Sequence, residues 1–339
     1  MNNMFPKVSI IIPVFNVEPY IQDCLNSVIR QDYQGEIECI IVNDCTPDGS
    51  MDVVDKFLKN YSGNISFRLV NLDRNRGLSY ARNIGLEHTT GKYVYFLDSD
   101  DEITSDCLSI LTAPLLTSSY NMVLADYSLV GTDSMKKQLF LEEGSYFNRE
   151  IAISKIKGLW YPMAVNKLYD VTFLRNNSLT FCNGLIHEDE LWSVEIACLA
   201  QSMYVIRSST YIYKVRDGSI TTANLETKRE RMHNAFFTML ASFYLFMSQH
   251  SLTSDYYANT FLQILFNYVI RFSPDISSFY KSYMKCRSII PAGFKYLFLN
   301  QFSLRKQIRD FHFIFPPVLG YYIYKYLNIK LYNALDKRE

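Results

Sequence analysis

The sequence predicts an α/β protein: a mostly parallel sheet flanked by helices, followed by a helical C-terminal extension. Three observations carry this. Apolar, β-branched runs of strand length alternate with segments of helical spacing over the first hundred residues. One run, Tyr93 to Leu97, leads straight into the acids Asp98, Asp100 and Asp101. Beyond Thr222 the strand-like runs give way to long stretches of helical periodicity with few charges.

Val8 to Val14 is the first strand, buried on both faces because nothing in it alternates. After a loop at Asn16 to Pro19, the spacing of Ile21, Leu25, Val28 and Ile29 predicts a helix to Gln31. Ile37 to Val42 is the second strand, ending in the turn formers Asn43 to Ser50. A helix bearing Val53, Val54, Phe57 and Leu58 on one face follows, then a third strand at Phe67 to Val70. Asp73 to Gly77 is a polar loop, and Ser79 is placed to cap a short helix running to Glu87. Gly91 turns the chain into the Asp-bearing strand. Right-handed crossovers then bring the loops at Asn16, Asp44, Arg76 and Asp98 to Asp101 to one sheet edge, where open α/β sheets bind ligands.

Composition narrows the function. The 339 residues are 48% hydrophobic, and 34 basic residues balance 34 acidic ones. The chain therefore holds a sizeable core and is not a globally basic nucleic-acid binder. Seven cysteines without a C-x-x-C pair fit reduced thiols, hence a cytoplasmic location. No signal-peptide core or uncharged membrane-spanning stretch is evident. Neither G-x-G-x-x-G nor a P-loop is present, so a bound diphosphate would need a metal and side chains to neutralise it. Three carboxylates within four positions repel one another unless a cation offsets them, and hard oxygen donors of this kind suit Mg²⁺ or Mn²⁺. A solvated acidic turn opening the next helix is the competing description.

Four motifs in order, VSIIIPVFN, IIVNDCTPDGS, NRGLSYARNIGL and YVYFLDSDD, resemble the donor half of the family 2 glycosyltransferases of GT-A fold. NKLY ending at Tyr169, IHEDELW at Ile186 to Trp192, and YKVRDGSIT at Tyr213 to Thr221 are similar to the acceptor half of that family. The resemblance implies a catalytic domain over residues 1–222, with a donor half at 1–127 and an acceptor half at 128–222, and leaves 223–339 as a helical region. It implies an inverting, metal-dependent transfer of a sugar from a nucleotide donor, UDP-linked in expectation. The receiver would be a hydroxyl of a glycan or lipid-linked glycan in surface polysaccharide synthesis.

Residue by residue, Asp98-Ser99-Asp100 matches the family's D-x-D. Asp100 would bind Mn²⁺ or Mg²⁺, and Asp98 would reach the ribose or the metal through water. Asp101 is either a turn acid or a direct participant. Asp44 matches the acid that meets the nucleobase, preceded here by Asn43 where relatives often carry a second acid. Arg82 is expected toward the donor diphosphate or base, Gly77 for its backbone freedom, and Arg216 in a loop over the diphosphate, with Lys214 and Ser219 as weaker candidates. Pro13, Phe15 and Glu18 line the first loop; Phe15 is equally a core residue. An inverting transfer needs a base for the acceptor hydroxyl. Asp189 takes that role by the match, with Glu188 orienting it or touching acceptor. Without the match, Glu188, Asp189 and Glu190 are acids favoured in a first helical turn. His187 supports this group rather than ligating metal, and Trp160 shapes the acceptor pocket or packs.

Two alternatives come from other classes. A sugar-phosphate nucleotidyltransferase would carry a glycine- and basic-rich loop after the first strand, which Val14 to Val17 does not provide. A non-catalytic nucleotide-sugar-binding assembly subunit would tolerate loss of the carboxylates at 98, 100 and 189, which are intact. Downstream, Ala235 to Met247 and Tyr256 to Phe272 read as helices of a small bundle. Ser303 to Lys330 mixes basic and aromatic residues around Pro316-Pro317: either a peripheral contact with the inner face of a membrane or a terminal helix docked on its own domain.

Overall fold

The computed structural model consists of two compact units, residues 1–219 and 220–339. It describes residues 5–131, 139–215, 225–273, 276–290 and 311–327. In the first unit the order is β1 (Val8–Val14), α1 (Ile21–Ile29), β2 (Ile37–Asn43), α2 (Ser50–Asn60), β3 (Ser66–Asn71), α3 (Leu78–Glu87) and β4 (Tyr93–Phe96). There follow β5 (Glu102–Ile103), α4 (Cys107–Thr112), β6 (Met122–Val130), β7 (Gly144–Phe147), α5 (Arg149–Ile156), β8 (Lys167–Asp170), α6 (Val171–Asn176), α7 (Glu188–Leu199) and β9 (Ser202–Lys214).

The strands form one sheet of order β3-β2-β1-β4-β8-β6-β9-β5, with β7 pairing β9. The first four strands pair in parallel, Val8 opposite both Ile37 and Tyr93. Their βα alternation forces this, since a helical crossover returns each strand in the same sense. β8 is antiparallel to both β4 and β6, so the sheet becomes mixed beyond β4. β6 and β9 are parallel again, with a register shift between Ala125 and Tyr127. Asn166 fills that irregularity. Its side-chain amide donates to the Ala125 and Asp126 carbonyls and its oxygen accepts from Thr210. Val8, Ile10, Ile12, Val14 and the whole of β4 are buried, as continuous apolar strands covered on both faces must be.

The third helix begins at Leu78, one residue before the expected Ser79 cap. Gly77 takes the cap position at φ 86°, where an L side chain is strained, and Ser79 is buried inside the helix. No side chain would clash there, so the glycine is needed for its backbone angle and not for space.

The second unit contains α8 (Leu225–Gln249), α9 (Tyr256–Arg271), α10 (Ile276–Ile289) and α11 (Pro317–Leu327). Asp255 caps α9 by accepting from the Tyr257 and Ala258 amides. Pro317 opens α11, the first-turn position where a missing N–H costs nothing. No described helix is long and apolar enough to cross a membrane. None of the seven cysteines is joined in a disulfide.

Candidate active site

The carboxyl ends of β1, β2 and β4 converge with the start of α7. Each loop there is held by backbone donors satisfied locally. The Asn16 amide donates to Thr46 Oγ1, the Glu18 amide to Asp48, and the Gly49 amide to Glu18 Oε2. Asp44 is buried, and its two carboxylate oxygens accept from the Arg76 and Gly77 amides at 2.7 and 2.8 Å. That pair of bonds fixes the polar loop against the end of β2. Residues with left-handed backbone gather at this edge: Asn16, Cys45, Gly77, Asn166 and His187. Strained backbone of this kind collects where the surrounding structure enforces a functional geometry.

Arg82 is the hub. Its side chain is only 1% exposed, yet it meets three carboxylates. Nη2 lies 2.8 Å from Asp98, and Nη1 lies 2.8 Å from Glu188 and 3.1 Å from Asp189. The guanidinium also lies over the Phe181 ring, which stacks on Trp192. Asn83 holds the Phe181 backbone from both sides, donating to its carbonyl and accepting from its amide. Arg82 Nε has no partner among the described atoms. Arg82, sealed from solvent, thus links the acid loop after β4 to the acids opening α7. Asp98 and Asp189, 29% and 23% exposed, remain reachable from outside.

The electrostatics follow from crowding. Burial and the neighbouring Asp189 push Glu188 up to about 7, against the pull of Arg82. Burial also raises Asp189, opposed by Arg82, Lys167 and an Ala164 amide that hydrogen-bonds it. Asp101 is pushed up to about 8 by burial and by the charges of Asp98 and Asp100. Among the described residues no three side chains form a closed metal-ligand cluster. Two loop carboxylates of hard-oxygen type nonetheless fit Mn²⁺ or Mg²⁺, which complete their coordination with water and substrate phosphate.

The expected residues fall into three groups. Asp98, Arg82, Glu188 and Asp189 are brought into direct contact, across 16 to 107 residues of sequence. Asp100 and the buried Ser99 share the loop with Asp98. Phe15, 41% exposed, stands outside the core at the end of β1, whereas Pro13 is buried within the strand opposite Val42. Lys214 is engaged elsewhere, 2.7 Å from Glu102 and 3.5 Å from Asp23. Trp160 packs, donating its indole N–H to Ser154. His187 sits left-handed at the head of α7. Arg216 and Ser219 lie outside the described residues.

Three participants, Tyr211, Lys167 and Asn83, were not singled out from the sequence, and Asp101 was weighed there as a turn acid or a direct participant. Asp101 accepts from the Tyr211 hydroxyl and the Lys214 amide, tying the acid loop to β9. Lys167, fully buried, donates to the Met163 carbonyl and faces the Tyr161 ring at 3.7 Å, on the segment whose Ala164 amide holds Asp189. Asn83 was legible as the neighbour of Arg82 in its motif; Tyr211 and Lys167 carry no local signal.

Residues 9–176 match the family model described as glycosyl transferase family 2. Glycosyltransferase GlyA of Streptococcus pneumoniae is 29% identical over 228 residues, covering 63% of this chain and 31% of GlyA. Poly(ribitol-phosphate) beta-N-acetylglucosaminyltransferase TarS of Staphylococcus aureus is 27% identical over 213 residues, 62% of this chain and 36% of TarS. The chain thus spans about a third of the length of these relatives. The crystal structure of S. aureus TarS 1–349 superposes with a TM-score of 0.71 at 19% identity, covering 97% of this chain and 92% of that one, and the same fragment is known with UDP-GlcNAc. Mannosyltransferase PcManGT from Pyrobaculum calidifontis, solved with GDP-Man and Mn²⁺, gives 0.54 at 16% identity over 84% of this chain and 74% of that one. At these identities the structural likeness establishes the fold.

Proposed function

The chain belongs to glycosyl transferase family 2 through residues 9–176, and from that premise we propose that it is an inverting, metal-dependent glycosyltransferase. It moves a sugar from a UDP-sugar to a hydroxyl of a cell-surface glycan, free or lipid-linked. The observation that carries this is the Arg82 cluster. One guanidinium holds a carboxylate of the acid loop and the Asp189 carboxylate within its own width. Donor and acceptor chemistry are thereby set side by side.

Asp189 takes the proton from the acceptor hydroxyl. The freed oxygen attacks the anomeric carbon from the face opposite the diphosphate, and the sugar–phosphate bond breaks with its electron pair passing to UDP. Arg82 and the Ala164 amide orient Asp189, Glu188 shares the guanidinium, and Asp44 holds the Arg76–Gly77 loop. A divalent cation on Asp98 and Asp100 would supply charge stabilisation to the departing diphosphate. Phe15, Glu18 and Ser99 border the donor, and Arg216 belongs to the same expectation.

The test is UDP release from a panel of UDP-sugars with Mn²⁺, in wild type and Asp189→Asn. A positioned base contributes about 10²–10⁴-fold, so the variant should lose turnover by that factor. It should still be stabilised thermally by the donor that wild type uses. Turnover retained in Asp189→Asn removes Asp189 as base; a product of retained anomeric configuration removes the inverting step.

A further inference from the structure

Of the three acids in the loop after β4, Asp101 alone is buried. Its amide donates to the Asp98 carbonyl at 3.1 Å, closing Asp98 to Asp101 into a turn. β5 follows at once and pairs with β9, Glu102 opposite Ile212 and Ile103 opposite Tyr211. The Asp101 carboxylate adds a second tie to the same strand. Oδ2 accepts from the Tyr211 hydroxyl at 2.7 Å and Oδ1 from the Lys214 amide at 2.8 Å. The Lys214 ammonium then reaches Glu102 at 2.7 Å, and Arg30 meets the same carboxylate at 3.2 Å. The other end of the turn is held by Arg82 on the Asp98 carboxylate and by the Cys24 thiol, which donates to the Asp98 carbonyl across 3.7 Å.

Tyr211 is fully buried in β9, with Ile103 of β5 opposite it on one side and Tyr127 of β6 on the other. Paired strands on both sides fix its backbone, so its hydroxyl is a rigid donor. Burying a third carboxylate beside Asp98 and Asp100 is unfavourable, and a neutral side chain would fill the space at lower electrostatic cost. With both oxygens taken by fixed donors, the acid instead sets where the preceding residues of the turn stand. Carboxylates bind Mn²⁺ or Mg²⁺ well only when their oxygens are held in place, and the outer partners that hold them govern affinity.

We propose that Tyr211, acting through Asp101, is a positioning residue for the divalent-cation site at Asp98 and Asp100. Asp101 orients the turn and touches neither cation nor donor. The inference rests on the metal-dependent reading given above. The experiment measures Mn²⁺ binding directly, from the electron paramagnetic resonance signal of free Mn²⁺, in the full chain with saturating UDP and no acceptor. Wild type should bind Mn²⁺, and Asp100→Ala should abolish binding. Tyr211→Phe keeps the ring and removes only the hydroxyl. It should bind Mn²⁺ about tenfold more weakly, and excess Mn²⁺ should restore the wild-type kcat with a donor that wild type uses. Asp101→Asn should weaken binding at least as much, and carries the test if Tyr211→Phe does not fold. Tyr93→Phe is the matched control. It removes a buried hydroxyl that bonds the Tyr120 carbonyl, at the end of β4 away from the acids, and should leave Mn²⁺ affinity unchanged. Equal affinity in wild type and Tyr211→Phe, or the same weakening in Tyr93→Phe, overturns the proposal and leaves the metal-dependent reading standing. No Mn²⁺ bound by wild type with UDP overturns both.

Discussion

Replacing Arg82 by methionine removes the cation shared by Asp98, Glu188 and Asp189 while keeping much of the side chain's bulk. At 2.8, 2.8 and 3.1 Å, each pair has a gross Coulomb attraction of about 5–6 kcal/mol at an effective dielectric of about 20. Most of that offsets the desolvation of a guanidinium only 1% exposed. The deletion is costly because three crowded carboxylates stay behind; removing one partner of such a buried set costs about 3–5 kcal/mol. The pH dependence identifies the cause. Burial already raises Glu188 to about 7 and raises Asp189, and loss of Arg82 raises both further. A carboxyl whose folded value lies above its unfolded value destabilises the fold as pH rises through it. The penalty therefore grows as pH rises above about 7 and shrinks as it falls below that value. The chain's two tryptophans, Trp160 and Trp192, are both buried in the first unit. Urea unfolding followed by tryptophan fluorescence thus reports on that unit. The variant should lose about 3–5 kcal/mol at about pH 8.5 and less than about half of that at pH 5.5. An equal loss at both values, or none, would refute the view that Arg82 acts as counter-ion to the α7 acids.

Other consequences are open to measurement. Burial works to raise the Glu38 carboxyl, but hydrogen bonds from Ser9 and Thr90 overcome it and bring it down to about 2. Its contribution is present above about 4.5 and fades as pH falls toward 2. Glu38→Gln should therefore cost about 2 kcal/mol at neutral pH, after discounting for screening at the partly exposed Lys7. Denaturation at pH 7 and 3 decides it, since an unchanged gap would mean that the charge is irrelevant. Lys167 lowers Asp189 from within the protein. Lys167→Met should move the acid limb of the rate–pH profile to higher pH, cutting the rate at pH 6 more than at pH 8.5, and Lys167→Arg should hold it in place. A uniform loss across pH would make Lys167 a packing residue only.

What the sequence determined was local. Val8–Val14, Ile37–Asn43 and Tyr93–Phe96 are strands because continuous apolar, β-branched runs suit a sheet covered on both faces. The intervening helices then impose parallel pairing and bring Asn16, Asp44, Arg76 and Asp98 to one edge. Two of the C-terminal helices, α8 and α9, were legible from the same periodicity, whereas α10 was not read from the sequence. Only the tertiary structure decided what closes on that edge. Arg82 and Glu188 are 106 residues apart, and Tyr211 and Asp101 are 110 apart. Their contact depends on the antiparallel insertion of β8 between β4 and β6, which no local pattern announces. The helix start at Leu78, with Gly77 as its cap, likewise follows from two amides captured by Asp44 across the loop. Periodicity fixes which face of an element is buried. Which distant charges meet inside the fold depends on how the sheet closes, because a buried charge is tolerated only where the packing supplies its partner.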